Sequence, residues 1–187
     1  MNKYHINEKN IEKCKSIGMV HMYSIAILEE IGGKITDGIE ARLDFLTEGK
    51  AESFIITRSE NPKIFRGRYD LIVITAEMAQ NFSAWDLECS ILFAPGQYAS
   101  RVAGGVNTGC VVSYGMSGKD TVTISSINED MAVLALQREL MTLDEKVLER
   151  QEIPVRYSGR TSSDRVMGIF GSLLLMGADF EKFKNLT

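Results

Sequence analysis

The stretch Ser113-Tyr-Gly-Met-Ser-Gly-Lys-Asp-Thr121 comes nearest to a chemical motif in this sequence. A glycine followed by lysine after an apolar run is how phosphate-cradling loops end. Here, however, Ser113 stands where the first Walker glycine belongs, and Asp120 stands where a magnesium-ligating hydroxyl belongs. Without that glycine and hydroxyl the loop is not expected to bind MgATP in the Walker manner. Two readings remain open. Gly115, Ser117, Gly118 and Lys119 contact a ligand, or they simply make a turn between Tyr114 and Thr121. Glu77 follows the run Leu71–Thr75 and is either a general base or metal ligand, or a solvated loop acid. Glu77, Lys119 and Asp120 are therefore the catalytic candidates, and none is assigned a role.

Ser158-Gly-Arg-Thr-Ser-Ser-Asp164 offers a further possibility. Arg160 and Ser162 could hold an anion at the start of the last helix, or serine and aspartate merely cap it. Gly104-Gly105-Val-Asn-Thr-Gly109 is glycine-rich but precedes a strand rather than joining a strand to a helix, so a backbone connection is the simpler reading. Cys14, Cys89 and Cys110 are odd in number and far apart, which fits free thiols better than disulfides or a zinc site. His5 and His21 have no neighbours suggesting a triad or metal ligands. No metal and no cofactor is expected.

The elements that must position these residues read as follows. Residues 1–16 form a polar arm. Apolar residues at helical spacing (Val20, Tyr23, Ile27, Ile31) predict a helix over 17–31, stopped by Gly32-Gly33. A second helix is expected over Asp37–Glu48. Continuous apolar runs at 53–57, 70–75, 90–94 and 110–115 are what a parallel sheet covered on both faces requires, with crossover helices at 78–88 and 98–102. From 121 to 157 the pattern alternates as in a β-meander, with strands at 121–127, 131–140 and 147–157 and Pro154 at an edge. An apolar helix over 162–177 closes the chain. The fold class is α/β: a mostly parallel sheet flanked by helices, then a small three-stranded antiparallel meander and a C-terminal helix, all within one domain over 1–187.

Composition narrows the function classes. With 44% hydrophobic and 25% charged residues, the 187-residue chain can bury a sizeable core. A net charge of −4 leaves no basic footprint for nucleic acid. The longest apolar segment, 166–178, is too short to span a bilayer, and the N-terminus has no signal-peptide core, so a cytoplasmic location without membrane contact is expected.

From Tyr69 onward the order of elements resembles the closing half of the central domain of the Mur ligases, over about 110 residues. Asp70–Thr75, Val111–Ser117, the meander over 121–157, and Gly159-Arg160 leading into Val166–Gly177 follow one another as in that family. Leu175-Met-Gly-Ala-Asp179 is similar to the family's helix end. The resemblance implies a nucleotide-binding sheet, but its ATP machinery is not matched. The P-loop is absent, Thr161 and Ser162 replace the family's His-Asn pair, Arg165 replaces the following Asn, and the C-terminal amino-acid-binding domain is not expected. A stripped relative without ATPase activity is what this combination implies.

Two functions are consistent with the sequence. One is a non-catalytic α/β domain binding a small ligand or a partner, with self-association through an edge strand such as Val147–Val155. The other is an enzyme acting on a phosphorylated or carboxylated small molecule at the carboxyl ends of the strands.

Overall fold

The computed structural model describes residues 21–61, 65–83, 86–157 and 161–186. Five parallel strands come first: β1 (Tyr23–Leu28), β2 (Phe54–Ser59), β3 (Gly67–Ile74), β4 (Leu87–Pro95) and β5 (Asn107–Tyr114). β6 (Val122–Ile127) joins β5 in parallel through one pair, Tyr114 with Val122. β7 (Met131–Leu136) and β10 (Glu152–Arg156) then add antiparallel, completing an eight-stranded sheet ordered β10-β7-β6-β5-β4-β3-β1-β2. A separate hairpin, β8 (Leu140–Met141) with β9 (Val147–Leu148), interrupts the meander. The helices are α1 (Ile35–Leu46), α2 (Ala76–Gln80), α3 (Gly96–Ala103) and α4 (Ser163–Leu175).

Alternation along β1, β3 and β4 sends side chains into two cores. Ile25, Ile27, Leu71, Val73 and Phe93 pack under α1 and α4. Ala26, Leu28, Ile72, Ile74 and Leu92 pack with Ala79 of α2 and Val102 of α3. This double burial explains why the expected helix over 17–31 is instead, in its described part, strand β1. Ile25, Ala26, Ile27 and Leu28 are all fully buried, which an element with one apolar stripe cannot achieve. The helical spacing of Tyr23, Ile27 and Ile31 is incidental, and Ile31 is in fact 84% exposed.

Other boundaries also move. The crossover expected over 78–88 is the five-residue α2, and the strand expected over 131–140 ends at Leu136. The last meander strand is split into β9 and β10. The remaining runs are observed where they were expected.

Glycine sets how closely the helices approach. A Cβ on Gly38 would lie 2.3 Å from Ile169 Cδ1, and one on Gly168 would lie 2.6 Å from Ile35 Cδ1. The pair α1–α4 therefore interlocks at two points. Gly171 lets α4 settle on the sheet, where a Cβ would meet Phe93 Cζ at 2.4 Å.

The cysteines differ sharply in setting. Cys89 in β4 is buried, and burial pushes its thiol from an ordinary value near 9.0 up to about 11. Cys110 in β5 is exposed. In a Cys14→Ser background, a chromogenic disulfide reagent at mildly alkaline pH should titrate one thiol quickly, and Cys110→Ser should remove that phase. The folded state holds the Cys89 proton more tightly than the unfolded chain does. That stabilisation is complete below pH 9.0 and is lost as pH rises towards about 11. A urea midpoint that falls over this interval in wild type, but less in Cys89→Ala, would show it.

Candidate ligand-binding site

Parallel strands β1, β3, β4 and β5 present two ends, and open α/β sheets usually hold ligands at the carboxyl end. The loops carrying the sequence candidates are at that end. Glu77 lies exposed in the first turn of α2, which is capped by the Thr75 side chain accepting from Met78 N. Gly115 to Lys119 lie beyond β5, two strands away from Glu77, a separation of about 10 Å at the usual strand spacing. No hydrogen bond or ion pair among the described residues joins any two of the Glu77, Lys119 and Asp120 side chains.

The residues of this loop are bonded as a turn. The carboxylate of Asp120 is buried and accepts from Ser117 N at 3.0 Å, while Asp120 N donates to Ser117 O at 2.9 Å. Lys119 N donates to Ser117 Oγ at 3.2 Å, and Lys119 O accepts from Arg138 at 2.6 Å. Gly115 N donates to Val122 O at 3.1 Å, and a Cβ on Gly118 would point into open space. The Asp120 carboxylate also fills the space beside Gly96, where α3 begins. A Cβ at 96 would lie 1.6 Å from its Oδ1. A negative group there is favourably placed against the helix dipole. Ser162 caps α4 by accepting from Arg165 N at 3.4 Å. Arg160 lies outside the described residues.

A second buried carboxylate occupies the loop after β1. Gly32-Gly33-Lys34-Ile35-Thr36 joins a strand to a helix, the setting in which glycine-rich loops hold phosphate. Sequence reasoning misses this unit because β1 reads as a helix. Yet the anion-binding groups are already occupied. Glu29, fully buried, accepts from Ile35 N at 2.9 Å, from Thr36 N at 3.3 Å and from the Thr36 hydroxyl, and pairs with Arg58 Nε at 3.0 Å. Glu30 accepts from Thr75 Oγ1 at 2.8 Å, closing the crevice between β1 and β3. At the carboxyl end, the protein's own carboxylates sit where a ligand's anion would.

A cavity of about 520 Å³ opens at the opposite end. Its walls come from the start of β1 (His21, Tyr23), the end of α1 (Leu46 to Lys50), the start of β2 (Ser53, Phe54), the β8–β9 hairpin and the segment after α4 (Met176 to Phe180). Its volume is within the range of small-molecule sites. Tyr23 and Phe54 are register partners whose rings stack at 5.6 Å, and His21 meets Tyr23 edge-on at 4.4 Å. The hairpin is tied down by Leu143 N donating to Leu175 O at 2.7 Å, and the floor by Asp179 N donating to Leu46 O at 3.0 Å. Gly177 takes a φ of +79°, and a Cβ there would come 2.9 Å from Asp144 Oδ1, so this wall position accepts little but glycine.

The carboxylates lining the cavity are all partnered. Asp144 pairs with Lys146 at 2.7 Å and accepts from Thr142, while Lys182 bridges Glu48 at 2.9 Å and Asp179 at 3.7 Å. Burial pushes the Asp144 carboxyl up, but the bonds from Lys146 and Thr142 outweigh it and hold it below the usual range. Lys146 is raised by the same pair. Burial, followed by the nearby Asp144 and Asp70 charges, raises the Tyr23 phenol. The sequence carries no local signal for this cavity, because its residues come from distant segments.

Among the described residues, no three His, Cys, Asp or Glu side chains are grouped as metal ligands would be. No helix among them is long and apolar enough to cross a membrane. No protein-family model matches the chain, and no curated protein matches it.

Proposed function

We propose that this protein is a non-catalytic α/β domain that binds a small organic ligand in the cavity at the amino ends of β1 and β2. One observation carries the reading: the cavity retains polar groups with no partner among the described residues, whereas at the carboxyl end the buried carboxylates of Glu29 and Asp120 take up the backbone amides that a ligand's anion would use. The titratable groups beside the cavity also suit binding better than proton transfer. Tyr23 and Lys146 are raised and Asp144 is lowered, so each moves away from neutrality, where a general acid or base would need to be.

The order of elements in the sequence motivates a further part of the proposal: descent from a Mur-ligase-like central domain that kept the sheet and lost the ATPase. Self-association is the less favoured partner reading. The exposed edge β10 carries Glu152, Pro154 and Arg156 on its outward positions, and charges and proline discourage strand addition.

The test is a thermal-shift screen with small organic acids, amines and nucleotides. A true ligand at 100-fold its dissociation constant adds about 2.7 kcal/mol. Leu148→Trp, which fills the cavity from the hairpin, should abolish the shift, and Lys119→Ala should leave it intact. The opposite pattern would place the ligand at the carboxyl end and sink the reading.

A further inference from the structure

The ligand class of the cavity, which rests on the binding reading above, is set by the groups of its walls. Four lining side chains make no hydrogen bond or ion pair among the described residues: His21, Tyr23, Lys50 and Ser53. They are not scattered. Ser53 precedes Phe54, the register partner of Tyr23, and Lys50 and Ser53 bracket the 3₁₀ turn Ala51–Ser53, with Ser53 N donating to Lys50 O at 2.9 Å. His21 is held against Tyr23 by ring contact. All four can donate a hydrogen bond, and Lys50 adds a full positive charge. Tyr23 is a protonated donor at neutral pH, as any phenol with an ordinary value of 10.0 or higher is.

The acceptors in the walls are in the opposite condition. Asp144, Glu48 and Asp179 each have a lysine partner, the Thr142 hydroxyl accepts from Lys146 N, and the Thr47 hydroxyl donates to Leu43 O. The cavity thus offers an unpaired ammonium, two hydroxyls and an imidazole on one wall and ion-paired carboxylates elsewhere. Between them the Tyr23–Phe54 stack presents a flat apolar surface, continued by Leu148 and Met176.

We infer that the cavity takes a small organic carboxylate with a flat apolar body, its anionic head held by Lys50 with Ser53 and Tyr23, and its body laid against Phe54. A cation would find each lining carboxylate already ion-paired, Asp144 with Lys146 and Glu48 and Asp179 sharing Lys182, and a neutral polar ligand would make no use of the Lys50 ammonium, which forms no ion pair among the described residues. Charge-assisted bonds are about twice as strong as neutral ones, so the charge on the ligand should be what the site reads most strongly.

Phenylacetate, phenylacetamide and phenethylamine share one ring and nearly one length, and differ in charge. Titrated into the isotope-labelled full chain and followed by amide NMR, phenylacetate should shift the resonances of Tyr23, Lys50 and Phe54. Its affinity should exceed that of the amide by about tenfold, the value of one charge-assisted bond. Lys50→Met should remove that advantage, Lys50→Arg should keep it, and added salt should weaken phenylacetate alone. Lys50 is exposed, so neither variant threatens folding. Equal or tighter binding of the amide or amine overturns the carboxylate assignment while leaving the cavity reading intact. An unchanged phenylacetate affinity in Lys50→Met overturns it too. Shifts confined to Gly115–Lys119 overturn both, and shifts nowhere overturn the assignment, leaving the cavity reading to the Leu148→Trp screen.

Discussion

Glu29→Ala should destabilise the protein by about 3 kcal/mol, the low end of the cost of breaking a buried ion pair. The low end applies because the Arg58 side chain is 31% exposed and water can resolvate it once Glu29 is gone. The larger loss is inside. Ile35 N and Thr36 N, the first donors of α1, lose their acceptor, and the Thr36 hydroxyl is stranded with them. No local residue replaces that cap, since Lys34 at the N-cap position makes no side-chain cap bond. Glu29→Gln keeps the volume but turns one acceptor oxygen into a donor facing donors, and should cost about 2 kcal/mol. Urea denaturation measures both. A loss under about 1 kcal/mol for the alanine variant would mean the carboxylate is not the keystone of this loop.

Gly96→Ala should cost about 3 kcal/mol, a large effect for one methyl group at a half-buried position. The methyl would occupy the place of Asp120 Oδ1, forcing the carboxylate away from Ser117 N. Asp120→Ala alone should cost about 2 kcal/mol by removing the charged acceptor of Ser117 N. The two effects share one cause, so they should not add. The double variant is expected to be little worse than Asp120→Ala, a coupling of about 3 kcal/mol in a double-mutant cycle. Additive losses would separate Gly96 from Asp120 and restore Asp120 as a free group at the strand end.

These two carboxylates also mark the limit of what the sequence discloses. The runs at 70–75 and 90–94 announce β3 and β4 because both-face burial demands unbroken apolar residues, and the run at 110–115 announces β5 although Cys110 and Val111 are exposed. Asp120 and Glu29 give no such sign. A carboxylate that caps a helix and one that serves catalysis are the same residue type in the same kind of loop, and only the hydrogen bonds distinguish them. β1 reads as a helix because its six residues are flanked by apolar ones that happen to repeat at helical spacing. That coincidence hides the strand–loop–helix unit at 28–35. The cavity is out of reach for a different reason. Tyr23, Lys50, Phe54, Leu148 and Met176 converge only after the sheet and the helix pair have formed, and no window of sequence contains them together.

The interlock of α1 with α4 has a consequence for the ligand binding proposed above. Both helices deliver its floor at their carboxyl ends, and they are pinned at Gly38 against Ile169 and at Gly168 against Ile35. Neither helix can slide or roll without driving a side chain into the opposing backbone, and the bond from Asp179 N to Leu46 O fixes their ends. The cavity therefore works as a mould and not as a glove. On the proposed binding reading its floor is set before any guest arrives, little order remains to be imposed there, and a guest one ring too large would be refused by the core of the protein itself.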